Sequence, residues 1–224
     1  MCGRSSLTKT EKELEERFRA TFYSDDLERY NPLPNFNVAP THMHPVITQE
    51  EPRVIHLYRW GLIPSWAKDT KIGSKLINAR IEGIEEKLSF RSAFQKRRCI
   101  VPFDGYYEWQ KTPEGKIPYR IQLRGTEIFT IAGLYEHWKD PKGGIIHSFT
   151  LITHEADASI SHLHDRQPMV LLPDQEKLWL DASIPTKDLI KALGYLPGTQ
   201  FTWYRVSDRV NKVSENDAGL IEAV

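Results

Sequence analysis

The chemistry of this chain begins at its second residue, in Met1-Cys2-Gly3-Arg4. Loss of an initiator Met before a small residue leaves an α-amine and a thiol on adjacent carbons, a 1,2-aminothiol. The amine titrates near ~8 and the thiol near ~8.5, so both keep a reactive fraction at neutral pH. Such an amine condenses with an aldehyde to an imine, and the thiol then closes a thiazolidine ring. Alternatively, the amine acts as general base for its own thiol, as in N-terminal nucleophile hydrolases. Taken alone, a Cys at this position reads more readily as an accident of a frayed terminus. The second cysteine, Cys99, opens the apolar run Cys99 to Phe103 and reads as a packed small hydrophobe.

Other segments carry side chains suited to proton transfer or anion binding. Glu108 stands among aromatics in Gly105-Tyr106-Tyr107-Glu108-Trp109, next to an apolar run, where a raised carboxyl pKa is expected unless it simply faces solvent. His162 and His164 precede Asp165-Arg166-Gln167-Pro168 and share one face if that segment is extended. Leu76-Ile77-Asn78-Ala79-Arg80 resembles a strand that delivers a polar side chain and an Arg. Gly61-Leu62-Ile63-Pro64-Ser65-Trp66 is apolar, yet Gly and Pro prevent a regular element. It either roofs a core or offers a platform on which an unpaired base stacks. Metal chemistry is not expected. His42-x-His44 and His162-x-His164 lack completing ligands, and His154-Glu155 meets Ala158 where a zinc-protease helix needs its second His. There is no phosphate loop, dinucleotide fingerprint or serine nucleophile elbow, so no cofactor is expected either.

Composition sets the frame for these residues. The 224 residues are 40% apolar and include 6 Trp, 9 Tyr and 9 Phe, enough for a sizeable core. The balance of 30 basic and 30 acidic residues argues against a non-specific duplex binder, though not against a local basic groove. No apolar run reaches the roughly 20 residues of a membrane span, and charges at Lys9 and Glu11 leave no signal-peptide core. Two cysteines fit a reducing, cytoplasmic setting.

The elements that must position the chemistry are mostly strands. Thr8 with Glu11 predicts a capping box opening a helix that carries Leu14 and Phe18. Asn31-Pro32-Leu33-Pro34 breaks the chain before a short strand over 36–40. Strands are predicted over 44–48, 54–60, 99–103, 118–123, 128–135, 146–153 and 201–206, with helices over 89–98, 173–181 and 186–194. Hairpin-like turns between the strands favour antiparallel pairing over βαβ units. The expected fold is therefore α+β: a single domain over 1–224, with a largely antiparallel, barrel-like sheet core flanked by short helices. The polar tail from about 208 reads as a surface extension.

The motifs Met1-Cys2-Gly3-Arg4, Trp60-Gly61-Leu62-Ile63-Pro64, Asn78-Ala79-Arg80, Gly105-Tyr106-Tyr107-Glu108-Trp109 and His164-Asp165-Arg166-Gln167-Pro168 occur in this order. Together they strongly resemble the SRAP family (SOS-response-associated peptidase, the HMCES and YedK type), over nearly the whole chain. The resemblance implies a sensor of abasic sites in single-stranded DNA that crosslinks to them through a thiazolidine on Cys2. It implies Glu108 as acid/base near the Cys2 amine, His164 as the residue assisting sugar ring opening, and Asn78 as the residue orienting the Cys2 end. It further implies Arg4, Arg80 and Arg166 on phosphates, with Trp60, Trp66 and Pro40 near the gap in the base stack. A monomer acting in the cytoplasm, nucleoid-associated when on DNA, is the matching expectation. An N-terminal cysteine peptidase or amidohydrolase is the alternative, and a non-covalent single-strand binding module the third reading. The pattern departs from the family at Gln167, where Met is more usual before the Pro. All readings that use the amine require Met1 to be gone. The intact mass of the purified protein is accordingly expected to equal that of the chain lacking Met1.

Overall fold

Runs rich in apolar, β-branched and aromatic residues form the strands that dominate the regular structure, and Pro, Gly and capping residues punctuate them. The computed structural model describes residues 2–29 and 32–224, so Met1, Tyr30 and Asn31 lie outside the described residues. The first half comprises β1 (Ser5–Leu7), α1 (Glu11–Phe18), β2 (Thr21–Phe22), α2 (Ser24–Arg29), β3 (Asn35–Val38), β4 (Met43–Thr48), β5 (Val54–Trp60), β6 (Asn78–Arg80), α3 (Arg91–Lys96) and β7 (Arg98–Phe103). The second half comprises β8 (Gly105–Thr112), β9 (Gly115–Leu123), β10 (Phe129–Lys139), β11 (Ile145–Glu155), β12 (Arg166–Pro168), β13 (Val170–Leu171), α4 (Pro173–Leu180), α5 (Thr186–Leu193) and β14 (Phe201–Arg205).

The strands form two sheets. One is antiparallel throughout, in the order β14-β9-β8-β1-β3. In the other, β11, β10, β7, β4 and β5 pair antiparallel in turn, and β5 then pairs with β11 to close a ring. Five alternating strands cannot close with antiparallel pairs alone, so the closing β5–β11 pair is parallel. The fold is thus α+β with a largely antiparallel, barrel-like core. One apolar cluster spans both sheets and contains Cys2, Trp60, Phe103, Tyr106 and Phe149. Burying each such aromatic is worth about 1.5–3 kcal/mol.

Three local expectations are corrected. The capping box of α1 uses Thr10 and Glu13, not Thr8 and Glu11. The reason is that the Thr8 backbone N–H already donates to Asp104 Oδ2 at 2.8 Å, so the cap moves two residues on. The segment before β12 is a series of turns, so His162 and His164 do not share a strand face. The tail after Asp208 is no surface extension: Val210 and Leu220 are fully buried beside Tyr107. Its backbone is also used, since Asn37 Nδ2 donates to the carbonyls of Lys212 and Glu215 at 2.9 and 2.8 Å.

The N-terminal strand is fixed by a buried polar cluster. Ser6 Oγ donates to Asp104 Oδ1 at 2.6 Å, and Arg120 Nη2 donates to the same oxygen at 3.0 Å and to Ser6 Oγ at 3.1 Å. Arg120 Nη1 continues to Tyr204 Oη at 3.0 Å, tying β14 to the same point. Gly105 makes room for it, because a Cβ there would stand 2.7 Å from Arg120 Nε. A buried charge stripped of its partner is costly. Asp104→Ala is therefore expected to lose about 3–5 kcal/mol of stability by denaturant unfolding.

Candidate functional site

With β1 clamped between β8 and β3, the residues before it have a defined place. Tyr107 N–H donates to Arg4 O at 2.8 Å, which extends the ladder back toward Cys2. Cys2 is fully buried. Its carbonyl accepts a hydrogen bond from Asn78 Nδ2 at 2.7 Å. Asn78 is the first residue of β6, which lies parallel on β11 with Asn78 opposite Leu151. Burial, and next the nearby Glu108 carboxylate, push the Cys2 thiol well above the ordinary thiol range. Its sulfur is held as S–H, not as a ready thiolate.

Glu108 projects from β8 and is 3% exposed. It faces a cavity of about 450 Å³ together with Trp109, His164, Lys111 and Lys116. His164 is a quarter exposed at its side chain, with Nδ1 2.7 Å from Asp165 Oδ1 and 3.0 Å from the Arg166 backbone N. These contacts exclude each other. An unprotonated Nδ1 accepts from Arg166 N–H, whereas a protonated one donates to Asp165. Asp165 is 83% exposed, so its contact with His164 contributes little.

The arginines divide into two kinds. Arg4 Nη1 donates to Asn37 Oδ1 at 2.8 Å and to Val210 O at 2.5 Å, with its guanidinium 5.9 Å from the Trp109 ring centre. Burial lowers its pKa from the ordinary value. Arg166 grips Glu82 through two hydrogen bonds of 3.0 and 2.7 Å and also donates to Thr153 O at 2.8 Å. Arg80 is exposed and has no hydrogen-bond or ionic partner among the described residues. Arg80, Arg166 and Asn78 line a second concavity of about 610 Å³ with Lys75 and Lys87.

The aromatic set needs a correction. Trp60 is fully buried, its Nε1 donates to Ile77 O at 3.0 Å and its ring stacks on Phe149. It has no free face for a base and serves the core. Trp66 is 50% exposed on a loop that is pinned by Ile63 N–H to Ser148 Oγ at 2.9 Å and Trp138 Nε1 to Ala67 O at 2.8 Å. Pro40 is half-buried in the Ala39–His42 turn, closed by His42 N–H to Ala39 O at 3.1 Å. Thr41 follows it at φ 78°, a left-handed conformation that a β-branched residue adopts only under strain.

The structure thus brings Cys2, Asn78, Glu108 and His164 together between two concavities, with Arg80 and Arg166 on one side. A cavity of about 630 Å³ beside Arg17, Phe18 and Leu180 shares no residue with this site. Sequence reasoning missed Lys111 and Lys116, which lie directly opposite each other across the β8–β9 hairpin, both exposed. Like charges in that position cost stability unless an anion joins them. The signal was available in Lys111-Thr112-Pro113-Glu114-Gly115-Lys116, whose turn residues set that register. Among the described residues, no group of three or more His, Cys, Asp or Glu is placed to hold a metal ion. No helix among them is long and apolar enough to cross a membrane.

Comparison with known proteins places this geometry in context. Residues 1–213 match the family described as SOS response associated peptidase (SRAP). The chain is 38% identical over 226 residues to the abasic site processing protein YoqW of Bacillus subtilis, covering all of both chains. It is 32% identical over 237 residues to the abasic site processing protein YedK of Escherichia coli, again covering all of both. A crystal structure of a protein from Bacteroides thetaiotaomicron superposes with a TM-score of 0.91 at 28% identity, covering 100% of each chain.

The Arg166–Glu82 pair also bears on acid stability. Burial is the largest single influence and opposes ionisation of Glu82, but the Arg166 hydrogen bonds, backbone N–H groups of Glu82 and Glu155 and the Arg166 charge together outweigh it and hold the carboxyl below its usual range. A depressed carboxyl stabilises the fold above its unfolded pKa, near ~4.3, and loses that contribution as pH falls through the folded value. Because Glu82 is 52% exposed, Glu82→Gln is expected to cost no more than about 1 kcal/mol at neutral pH. The same variant should flatten the acid limb of a stability-versus-pH curve.

Proposed function

The chain belongs to the SOS response associated peptidase (SRAP) family, and from that premise we propose that it captures abasic sites in single-stranded DNA as a covalent thiazolidine on Cys2. The observation that carries this reading is the Cys2–Asn78 hydrogen bond, which holds the aminothiol backbone beside Glu108 and His164.

The chemistry follows from what each group can do. An abasic sugar is mostly a closed hemiacetal, so a proton must leave its C1 hydroxyl while the ring oxygen gains one. His164, whose Nδ1 exchanges partners with its protonation, suits that transfer. Glu108 removes a proton from the Cys2 ammonium, and the freed nitrogen adds to the aldehyde carbon. The resulting carbinolamine loses water to give an imine. The thiol then adds to the imine carbon: the C–S bond forms, and the S–H proton passes through Glu108 to the nitrogen. The sum is aldehyde plus aminothiol giving thiazolidine plus water. Once sulfur occupies that carbon, no imine remains to acidify the neighbouring C–H, and strand breakage by elimination is suppressed.

The raised thiol pKa fits this order of events. A thiolate is not needed until the imine exists, and a buried S–H resists oxidation and stray alkylation before then. The flanking cations suit a strand entering and leaving the site. Arg80, Lys75 and Lys87 lie on the Asn78 side, while Lys111 and Lys116 lie on the Glu108 side. Trp66 supports stacking of a neighbouring base, which is tolerant of sequence. Arg166 is committed to Glu82, so any phosphate contact it makes exchanges one anion for another.

The test is incubation with an oligonucleotide carrying a single abasic site, resolved on a denaturing gel. A heat-stable adduct of wild-type protein that is absent from Cys2→Ala supports the reading. Intact wild-type protein that never shifts the strand sinks it, and turnover of an amide by Cys2 without DNA would favour a hydrolase instead. Glu108→Gln should slow adduct formation by about 10²–10⁴-fold, the range for a positioned acid/base.

A further inference from the structure

Tyr106 is a buried polar side chain beside Cys2 that the chemistry above leaves unused. It precedes Glu108 by two residues on β8, so both side chains leave the same face of that strand. Its backbone pairs with Ser5, which fixes the ring at the N-terminal end of β1. With Glu108, His164 and Gln167 it lines an interior space of about 10 Å³. The residue is 1% exposed, and its hydroxyl makes no hydrogen bond among the described residues. Burial, and next the neighbouring Cys2 and Glu108, keep the proton on the phenol. A buried hydroxyl with no partner weakens a fold, and Phe would fill the same volume without that cost. The hydroxyl is therefore best explained by a partner that is present only during the reaction.

We propose that the Tyr106 hydroxyl is a catalytic hydrogen-bond donor to the oxygen on the aldehyde carbon of the abasic sugar, an assignment that rests on the reading of Cys2 given above. As nitrogen adds, the carbonyl π pair moves onto that oxygen, which takes up a proton and becomes the carbinolamine hydroxyl. Glu108 relays to that hydroxyl a proton shed by the nitrogen, and the nitrogen lone pair then expels it as water to leave the imine. Tyr106 keeps its own proton throughout and lowers the cost of charge on oxygen at both steps, as a donor in an oxyanion hole does. A phenol held as a neutral donor is suited to this, because it neither neutralises the attacking amine's base nor competes with His164 for the sugar's ring oxygen.

Tyr106→Phe removes only the hydroxyl. Three measurements on the full chain decide the proposal: the single-turnover rate of adduct formation, affinity for the same strand carrying a tetrahydrofuran site that has no aldehyde, and thermal unfolding. We expect the rate to fall at least ~10-fold and up to the 10²–10³-fold typical of a lost oxyanion donor, with tetrahydrofuran affinity unchanged and Tm unchanged or raised. An unaltered rate overturns the assignment. So does a rate loss accompanied by a matching loss of tetrahydrofuran affinity or by a lowered Tm, since those mark a binding or packing role. Absence of adduct with wild-type protein overturns the reading of Cys2 as well, which separates the two failures.

Discussion

The structure depends on one buried charge cluster, Asp104 with Ser6 and Arg120. Asp104 sits where the chain leaves the closed ring at β7 and enters the second sheet at β8. It binds both β1, through Ser6 and Thr8, and β9, through Arg120. A short strand at a chain terminus would ordinarily fray. Here its neighbours on both sides and the ionic clamp beneath it hold the terminus in register, and that register, together with the Asn78 hydrogen bond, decides where Cys2 lies. The cluster is satisfied on all sides, which is the condition under which buried polar groups specify a structure and do not merely cost it stability.

What the clamp delivers is an aminothiol with unequal halves. The sulfur is enclosed, and its proton is held by burial and by the Glu108 charge. The backbone around it is fixed by Asn78. In the proposed chemistry such an arrangement would delay the thiol until an electrophilic carbon is attached to the nitrogen beside it, and would protect the nucleophile from oxidants before then. The surrounding cations are arranged in two concavities and not as one continuous basic face, which agrees with a chain of zero net charge.

Two features outside the site show how its walls are kept in place. Gln167, where the family more often carries Met, is buried. Its Oε1 accepts from Asp157 N–H at 2.9 Å, and its Nε2 donates to Leu196 O at 3.4 Å. It links the turns before His164 to the segment after α5, a hydrogen-bonding task that a thioether cannot perform. The C-terminal segment has a similar part: Val210 O accepts from Arg4, and the Arg4 guanidinium lies near the Trp109 ring that lines the Glu108 cavity.

Much of this was legible in the sequence. The longer strands and the helices α1, α3, α4 and α5 followed from residue periodicity and turn chemistry, because those signals are local, whereas short elements such as β1, β2, α2, β12 and β13 did not. The candidate site residues stood out by type, since a Cys at position two, a Glu within aromatics and a His-Asp-Arg run each carry a chemical meaning. The parallel closure of β5 on β11 was not legible, because strand alternation says nothing about which edges meet. Nor was the burial of Trp60, since an aromatic beside Gly and Pro is equally suited to a core or a surface, and only packing against Phe149 decides. Arg166 differs from Arg80 for the same reason: its partner Glu82 is 84 residues away in the chain and reaches it only through the fold. The sequence by itself determined which chemistry was available. The tertiary structure decided which side chains share a cavity and which charges are already spent on each other, because burial and long-range pairing exist only once the sheets have closed.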